Sequence, residues 1–488
     1  MAKKWYSVLV KENVYGIGSQ VLVVLAGVMS TLLFPRILGP ESFGYFSLVF
    51  ALANVFIFFS ELGLATAVMK MIPVSIVRKD TASYYRFFLR IKYVLTILSS
   101  FALFMLADYI SLRFFKHPEL ASGIRLSSLF LFSYSLIYTF YDFLFVATKR
   151  NKFSFYVNVV FQSSRVALPL LLYYFYRSYT SFILGLGLAA SLGLIAGLLF
   201  RRNVKVLDEG EGPLDYATLK KYVFYGMLWS LGSMLLQWID SIVVGVYVSP
   251  TDVGIYRIGV MLISVVWLFI PVSSGVLFAL YSEKTETNER DKINTVYRYS
   301  LRYSMIISSL VMVGIWLTSG YFIKFIYGEA YAAAAPVLLI FSLLAIEVSL
   351  NTINVPLLQG IGKIDLQTKY MVLVGLLTAL GSIYASRYGI NGVAFAVMCI
   401  RIVSIMLLTL YVLRNIKLNI DVGVYAKPLV SAVITLLVLH PFRGIVTSLP
   451  LGILYAFSVV FVYGLLLVVF RAVSAEEVGK IFSALREK

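Results

Sequence analysis

The chain has 488 residues, of which 60% are hydrophobic and 14% are charged, and its mean hydropathy is +0.88. Soluble globular chains are about 45–50% apolar and about 25% charged, so this composition excludes a protein whose whole surface faces water. The formal net charge of +18 would favour nucleic acid as a partner of a soluble protein. Here the basic residues follow the loops between long apolar segments, so we predict an all-α integral membrane protein without a nucleic-acid partner.

About fourteen apolar segments follow one another along the chain, each close to the ~20 residues that a helix needs to cross a bilayer. The first of them is long enough to span, so we expect no removable secretion signal. The predicted spans are 14–34, 44–69, 87–107, 122–147, 153–175, 179–200, 222–248, 253–281, 299–319, 334–359, 366–386, 390–412, 424–441 and 450–471.

The basic residues are distributed unevenly between the two sides of these spans. Most of the 42 lysines and arginines lie in the termini and in the loops on the side of the N-terminus, as at Lys149, Arg150, Arg201 and Arg202. Loops that stay in the cytoplasm carry such an excess. We therefore expect a multi-pass protein of the cell (inner or plasma) membrane with both termini in the cytoplasm, where anionic membrane lipid adds to the attraction.

An internal repeat relates the two halves of the chain. The segment 39–46 (GPESFGYF) recurs as 249–256 (SPTDVGIY), and 112–115 recurs as 323–326 at nearly the same offset. Six spans separate equivalent points, and because six is even, the halves share one orientation. This pattern predicts two parallel six-helix lobes with a substrate site near the membrane midplane.

The predicted organisation therefore has five parts. These are an N-lobe at 1–200 with spans 1–6, a cytoplasmic linker at 201–221, a C-lobe at 222–412 with spans 7–12, two further spans at 413–471, and a cytoplasmic tail at 472–488. Apolar residues in the tail repeat at helical spacing, which predicts an amphipathic helix on the inner membrane face or under the protein itself.

Motifs along the whole chain carry a resemblance to a known family. They lie at 37–47 (ILGPESFGYFS), 61–64 (ELGL), Asp240, 325–331 (FIYGEAY) and 388–394 (YGINGVA). In these motifs the chain resembles the Wzx-type flippases of lipid-linked oligosaccharides, which belong to the superfamily of MATE drug exporters and the MurJ lipid II flippase (the MOP superfamily). The resemblance implies fourteen helices, alternating access, and a polyprenyl (di)phosphate-linked oligosaccharide as cargo, as in O-antigen and other polysaccharide biosynthesis.

The resemblance has one departure. Residues 15–34 of the first predicted span carry no charge. This span therefore does not match the basic and acidic pair of MurJ, which argues against lipid II as the cargo. Glycan-assembly enzymes are expected partners of such a flippase.

Four arginines are candidates for binding the cargo. A charge at the bilayer centre costs about 2.5–3.5 kcal/mol on insertion scales, so such residues face a cavity or a partner. Arg165 and Arg401 lie near mid-membrane, and Arg36 and Arg257 lie toward the outer ends of their spans. A guanidinium binds phosphate through two parallel hydrogen bonds. The alternatives are internal ion pairs for the first two and interfacial snorkelling for the other two.

Four acids within spans are candidates for coupling transport to Na⁺ or H⁺. These are Glu61, Asp142, Asp240 and Glu347. Salt bridges with the arginines are the alternative for Glu61, Asp240 and Glu347, and a role at the membrane boundary is the alternative for Asp142.

The sequence offers little for covalent chemistry. Cys399 is the single cysteine, and His117 and His440 lack companions at metal-ligand spacing, so we expect no metal site and no cofactor beyond a coupling ion. We predict a secondary transporter and not an enzyme. A MATE-type exporter of cationic drugs is the nearest alternative, and a membrane glycan polymerase or ligase is a remote one, since its catalytic groups would need larger external loops.

Overall fold

The computed structural model describes residues 2–264, 274–287, 289–416, 418, 423–446 and 448–473, and all regular secondary structure among them is helical. The predicted all-α class is confirmed. The α-helices are α1 (Ala2–Glu61), α2 (Leu64–Arg78), α3 (Thr81–Met105), α4 (Ala107–Tyr109), α5 (Leu120–Leu136), α6 (Phe143–Ala147), α7 (Asn151–Tyr176), α8 (Tyr179–Arg201), α9 (Tyr216–Tyr247), α10 (Pro250–Ser264), α11 (Ser274–Glu286), α12 (Arg290–Tyr327), α13 (Ala334–Ser342), α14 (Leu344–Gly360), α15 (Ile364–Ala385), α16 (Gly389–Ile416), α17 (Gly423–Leu439) and α18 (Leu449–Val469).

Short irregular helical turns connect or extend several of these helices. Ile110–Phe115 and Ile137–Asp142 are π-helical, and the 3₁₀ turns are Lys205–Asp208, Glu329–Tyr331, Ser386–Tyr388 and His440–Ile445. A π-helical turn carries one residue more than the α-helix allows per turn and often marks a functional region.

Backbone breaks divide the longest helical stretches. Gly39 (φ 76°) interrupts α1, and Gly389 (φ 71°) begins α16 directly after the turn that follows α15. Glycine adopts positive φ without the steric cost that other residues meet. Leu62 and Gly63, with φ of 41° and 80°, separate α1 from α2. The predicted span 44–69 is therefore not one continuous helix, because the chain breaks directly after Glu61.

Ten helices in the described part of the chain are long and apolar enough to cross a membrane, or eleven if the bent pair α13 and α14 forms one span. Two of the ten, Val14–Glu61 with 48 residues and Ile364–Ile416 with 53, exceed twice the ~20 residues of a single crossing. Each is divided at its glycine break. The helices thus agree with the predicted number of about fourteen spans, and the chain is a multi-pass membrane protein.

Two predicted features lie partly outside the described residues. The centre of the eighth predicted span, at 265–273, is one of them, and the tail from residue 474 onward is the other.

The chain forms two compact units. Unit 1 comprises Met1–Arg257 and Thr368–Arg387, and unit 2 comprises Ile258–Gln367 and Tyr388–Lys488. The boundaries between the units fall inside α10, inside α15 and in the turn Ser386–Tyr388. The lobe, linker and tail boundaries drawn from the sequence remain predictions.

Close helix packing builds unit 1. A Cβ placed on Gly185 of α8 would come within 2.6 Å of Pro169 in α7, and one on Gly63 would come within 2.3 Å of the Val223 carbonyl oxygen in α9. Small residues let membrane helices approach in this way, because lipid provides no hydrophobic drive for association. The second contact fixes the broken end of α1 against α9.

The two copies of the repeated motif meet inside unit 1. A Cβ on Gly44 would lie 1.9 Å from the carbonyl oxygen of Pro250, and a Cβ on Gly254 would lie 2.2 Å from the carbonyl oxygen of Pro40. Each glycine of the repeat therefore packs on the proline carbonyl of the other copy.

Unit 2 is held together by buried polar contacts between its helices. The Tyr297 hydroxyl donates to Asn354 Oδ1 at 2.7 Å, and Asn354 Nδ2 donates to Thr409 Oγ1 at 2.8 Å. Between α12 and α18, the hydroxyls of Ser309 and Tyr463 lie 2.7 Å apart. Such bonds join membrane helices because a polar group facing lipid would lose its partners.

Candidate functional site

A cavity of about 500 Å³ lies within unit 1, between the second half of α1, the start of α2, and α9. Its lining consists of Asn54, Ile57, Phe58, Glu61, Ala65, Thr66, Met69, Phe143, Trp229, Ser230, Ser233, Met234, Gln237 and Trp238. Among these residues the only charged side chain is Glu61. Amides and hydroxyls supply the remaining polar surface, and two indoles and two phenyl rings supply the aromatic surface.

Glu61 owes its position to the break in the chain. It is the last residue of α1, and the positive φ angles of Leu62 and Gly63 turn the backbone directly after it. The close packing of Gly63 on α9 holds that turn in place. Because the helix ends here, Glu61 lies at the cavity wall and no following turn of α1 covers it.

A buried lysine lies behind Glu61. Lys92 of α3 is fully buried, and its Nζ donates to the carbonyl oxygen of Ser60 at 2.9 Å. This carbonyl belongs to the last turn of α1, where a positive charge complements the helix dipole. Glu61 and Lys92 also attract each other electrostatically. The pair puts one charge on the cavity wall and its opposite in the interior.

Hydroxyl groups continue from this pair into the helix bundle. Ser60 Oγ lies 2.6 Å from Ser135 Oγ, which lies 3.3 Å from Thr96 Oγ1. All three residues are fully buried. Ser135 lies two residues before the π-helical turn Ile137–Asp142, so the irregular backbone adjoins the polar interior.

Sequence reasoning missed Lys92. It lies six residues into the third predicted span, and the neighbouring Arg86 and Arg90 made it one of the basic residues that flank a span. The one signal of burial in the sequence is that Lys92 lies further into the predicted span than these two arginines. Full burial in a membrane protein is expensive for a lysine, which points to a paired or functional role.

Arg165 is half-buried on α7. Its guanidinium donates to Gln162 Oε1 at 3.3 Å and acts electrostatically on Tyr134. The structure gives it no ion pair with a described acid, and it is not among the residues that line the 500 Å³ cavity. Arg165 therefore bonds to a neutral group of its own helix.

Asp142 and Asp240 are both held by hydroxyl groups. Asp142 accepts hydrogen bonds from the Ser154 hydroxyl and, at 3.4 Å, from Asn158 Nδ2. Asp240 is buried and accepts the Tyr256 hydroxyl at 2.9 Å, together with the backbone N–H of Ser241 at 2.6 Å. Neither acid lines the cavity.

Arg257 lies behind one wall of the cavity. Its guanidinium carbon is 4.5 Å from the centre of the Trp238 ring, and it donates to the Gln237 carbonyl oxygen at 3.4 Å. Trp238 and Gln237 are both lining residues. Arg257 is also attracted by Asp240. This arginine thus supports the position of an aromatic wall residue through a cation–π contact. Arg36, in contrast, is exposed on α1.

Glu347 and Arg401 form an ion pair in unit 2. Arg401 Nη2 lies 3.2 Å from Glu347 Oε2, and the Asn351 amide donates to the same carboxylate. The side chain of Glu347 is 5% exposed and that of Arg401 is 25% exposed. Here the structure brings together one predicted arginine and one predicted acid.

No cluster of three or more metal-ligating side chains occurs among the residues that the structure describes. Cys399 is half-buried and has no cysteine partner in this one-cysteine chain.

Sequence comparison finds similarity to proteins of polysaccharide and glycan biosynthesis. A family model described as "Polysaccharide biosynthesis protein" matches residues 33–336. The probable low-salt glycan biosynthesis flippase Agl15 of Haloferax volcanii is 26% identical over 180 residues, covering 37% of this chain and 38% of that protein. An uncharacterised membrane protein of Methanocaldococcus jannaschii is 25% identical over 178 residues, which are 36% of this chain and 35% of the other. The match thus spans little more than a third of each relative.

Comparison of structures identifies the fold. The lipid II flippase MurJ in an inward closed conformation superposes with a TM-score of 0.68 at 17% identity, covering 94% of this chain and 98% of MurJ. An inward-facing MATE family transporter of the MOP superfamily gives 0.62 at 14% identity, with coverage of 82% and 94%. An outward-facing MATE structure gives 0.57 at 14% identity, with coverage of 84% and 95%. The predicted fold of the MATE and MurJ superfamily is confirmed.

Proposed function

Since the chain belongs to the polysaccharide biosynthesis protein family and has the MurJ and MATE fold, we propose that it is a flippase for a lipid-linked glycan. The cargo is an oligosaccharide on a polyprenyl (di)phosphate, carried from the cytoplasmic to the outer leaflet of the cell membrane. The head group and glycan pass through the protein while the lipid tail remains in the bilayer. Both termini lie in the cytoplasm, and glycan-assembly enzymes supply the cargo.

The lining of the 500 Å³ cavity is the observation that carries this proposal. Amides such as Asn54 and Gln237 exchange hydrogen bonds with sugar hydroxyls, and the indoles of Trp229 and Trp238 present flat apolar faces to sugar rings. A small set of polar groups on an aromatic surface is typical of ligand sites.

Glu61 is the coupling residue in this proposal. Of the four acids considered, it alone lines the cavity, whereas Asp142, Asp240 and Glu347 are engaged by donors inside their units. A carboxylate at a cavity wall can bind Na⁺ or take up a proton, and either event cancels its attraction to Lys92. Cargo movement is thereby linked to an ion gradient or to the membrane potential by alternating access.

Arg165 is the stronger candidate for contact with the phosphate. Arg401 already neutralises Glu347 across 3.2 Å, whereas Arg165 bonds to a neutral amide. Breaking an ion pair to bind cargo costs more than exchanging one neutral acceptor for a charged one.

A second candidate function is export of organic cations, as in MATE drug transporters. One observation favours it: the only charged residue lining the described cavity is the acid Glu61. A negative, aromatic cavity suits a cation through charge and cation–π attraction.

Reconstitution into liposomes distinguishes these two functions. A fluorescent lipid-linked oligosaccharide is incorporated, and accessibility of its head group is followed with and without Na⁺, H⁺ and voltage gradients. A lipophilic cationic dye is assayed in parallel. The flippase proposal requires gradient-dependent head-group movement that is lost in Glu61→Gln and retained in Glu41→Gln, which lies outside the cavity. Transport of the dye without movement of the glycolipid would favour the exporter.

A further inference from the structure

Four basic side chains meet at a pocket of about 240 Å³ within unit 2, separate from the Glu61 cavity. The pocket is lined by Arg298, Tyr299, Arg302, Gly423, Lys427, Pro428, Arg471 and Ala472. Every charged side chain in this lining is positive. None of these residues was singled out as a candidate for cargo binding or ion coupling.

Three helices bring the charges together. Arg298 and Arg302 are one turn apart on α12, Lys427 lies in the second turn of α17, and Arg471 follows the end of α18. Arg302 Nε donates to the carbonyl oxygen of Ala472 at 2.7 Å, and Lys427 Nζ donates to that of Arg471 at 3.3 Å. These two cations hold the C-terminal end of α18, where positive charge complements the helix dipole.

The other two cations surround the opening of the pocket. Arg298 and Arg471 are exposed, and the exposed ring of Tyr299 lies between the two arginines of α12 in sequence. A guanidinium offers five N–H donors in a planar fork that matches phosphate oxygens. The chemistry of the opening therefore suits a phosphate group.

The pocket lies where the apolar parts of these helices end. The predicted spans begin at 299 in α12 and at 424 in α17, and the last one ends at 471, two residues after α18. Exposed apolar side chains lie within one turn of the charged residues, with Val430 at 45% and Val469 at 63% exposure. A ligand here would meet positive charge at one end and lipid-facing apolar surface at the other.

We propose that this pocket binds the phosphate head group of an anionic membrane lipid on the predicted cytoplasmic side. Basic pockets between membrane helices recognise such head groups, and each lysine or arginine near the surface adds to the attraction. The lipid remains in its leaflet and is not the cargo, so this site is independent of the proposed flippase activity.

Native mass spectrometry of the purified full chain in detergent, titrated with phosphatidylglycerol, tests the proposal. The variant Arg298→Gln/Arg471→Gln removes the two exposed charges and should weaken phosphatidylglycerol binding about 30-fold. Arg298→Lys/Arg471→Lys retains the charges and most of the binding. The matched control, Arg202→Gln/Lys205→Gln, removes two exposed charges from unit 1 and should change binding less than twofold. Thermal unfolding checks that each variant is folded.

Titrations with phosphatidylcholine and with inorganic phosphate test whether the pocket prefers an anionic lipid to a zwitterionic lipid or to free phosphate. Phosphatidylcholine should bind at least tenfold more weakly than phosphatidylglycerol, and inorganic phosphate should not displace the lipid at equal concentration. Displacement by inorganic phosphate would overturn the lipid assignment. Glu476 and Glu477 follow the pocket in sequence. The variant Glu476→Gln/Glu477→Gln neutralises this acidic segment. If this variant bound phosphatidylglycerol in preference to phosphatidylcholine but the wild-type chain did not, the acidic segment would be the occupant of the pocket and the proposal would fail.

Discussion

Gly44 and Gly254 occupy equivalent positions in the two copies of the repeated motif, and each packs against the backbone of the other copy. The Cβ positions would be 1.9 Å from the Pro250 carbonyl oxygen and 2.2 Å from the Pro40 carbonyl oxygen, respectively. Real Cβ atoms do not approach backbone atoms so closely. The duplication visible in the sequence is therefore also a reciprocal contact in the structure, and it requires glycine at both positions.

Replacing either glycine by alanine should weaken this contact. In Gly44→Ala and Gly254→Ala, the new methyl group meets a backbone oxygen that can move only with its helix, so the motifs must separate. If the contact closes one side of the transporter during alternating access, flipping in liposomes should fall about tenfold in each variant. The double variant should be little worse than either single one, because both changes disrupt the same contact.

Gly27→Ala is the matched control. A Cβ at Gly27 would have no neighbour within 4 Å, so the same substitution within the same helix adds no clash. Its flipping rate and its thermal unfolding should equal those of the wild type or show slightly higher stability, since alanine favours helix. Full activity in Gly44→Ala and Gly254→Ala would remove the contact from the transport cycle.

Hydropathy and periodicity were sufficient to predict the class of this protein, because lipid allows few ways to satisfy the backbone. The spans and the repeat follow from apolar runs and from the glycine-proline motif, both of which are local patterns. The break after Glu61 was missed, since Leu62 has no turn propensity of its own. Its positive φ depends on Gly63 fitting closely against α9, which is a tertiary contact.

The pairing of charges that are distant in the chain could not be predicted from the sequence, because it also depends on tertiary contacts. Glu347 and Arg401 were each identified as buried charges, and an ion pair was one of two open interpretations. Their spacing along the chain does not determine which arginine meets which acid. Lys92 was treated as a basic residue at the edge of a span, but the structure buries it fully. The local sequence does not distinguish these cases, because a lysine near the start of a span can extend to the membrane surface or turn inward.

Lys92→Met should destabilise the protein. Methionine has a similar shape but cannot donate to the Ser60 carbonyl oxygen, which would then lose a buried partner at the end of α1. An unsatisfied buried group of this kind costs about 1–3 kcal/mol. Thermal unfolding of the detergent-solubilised protein measures the effect, with Lys70→Met as control, because Lys70 is exposed on α2.

Combining Lys92→Met with Glu61→Gln tests the electrostatic coupling of the pair. Removing the lysine leaves Glu61 without an opposite charge that attracts it, so neutralising the acid as well should recover part of the lost stability. The double-mutant cycle should give a coupling of about 0.5–3 kcal/mol. Strictly additive effects would show that the two side chains act independently.

Arg401→Gln should lower stability more than it lowers specific activity. The substitution leaves the carboxylate of Glu347, which is 5% exposed, without its cation. Breaking a buried ion pair in this way costs about 3–5 kcal/mol. Because the Arg401 side chain is 25% exposed, solvent screening places the expected cost at the lower end. Arg401→Gln/Glu347→Gln removes both charges and should recover much of the stability. If the double variant folds well but does not flip the glycolipid, the Arg401–Glu347 pair has a role in transport beyond stability.

Arg165→Gln should show the opposite pattern, with nearly normal stability and reduced flipping. Arg165 donates a 3.3 Å hydrogen bond to the neutral side-chain amide of Gln162, so replacing Arg165 with glutamine leaves none of the described acids without its ion-pair partner. A charge-assisted bond to phosphate is worth about 1.5–3 kcal/mol, so flipping should fall about tenfold or more. Arg165→Lys, which keeps the charge but loses the planar fork, should be intermediate. Arg165→Gln and Arg401→Gln are measured side by side. If Arg165 had a purely structural role, its replacement would reduce the unfolding temperature and the flipping rate together. Normal flipping by a stable Arg165→Gln protein would exclude a role in phosphate contact.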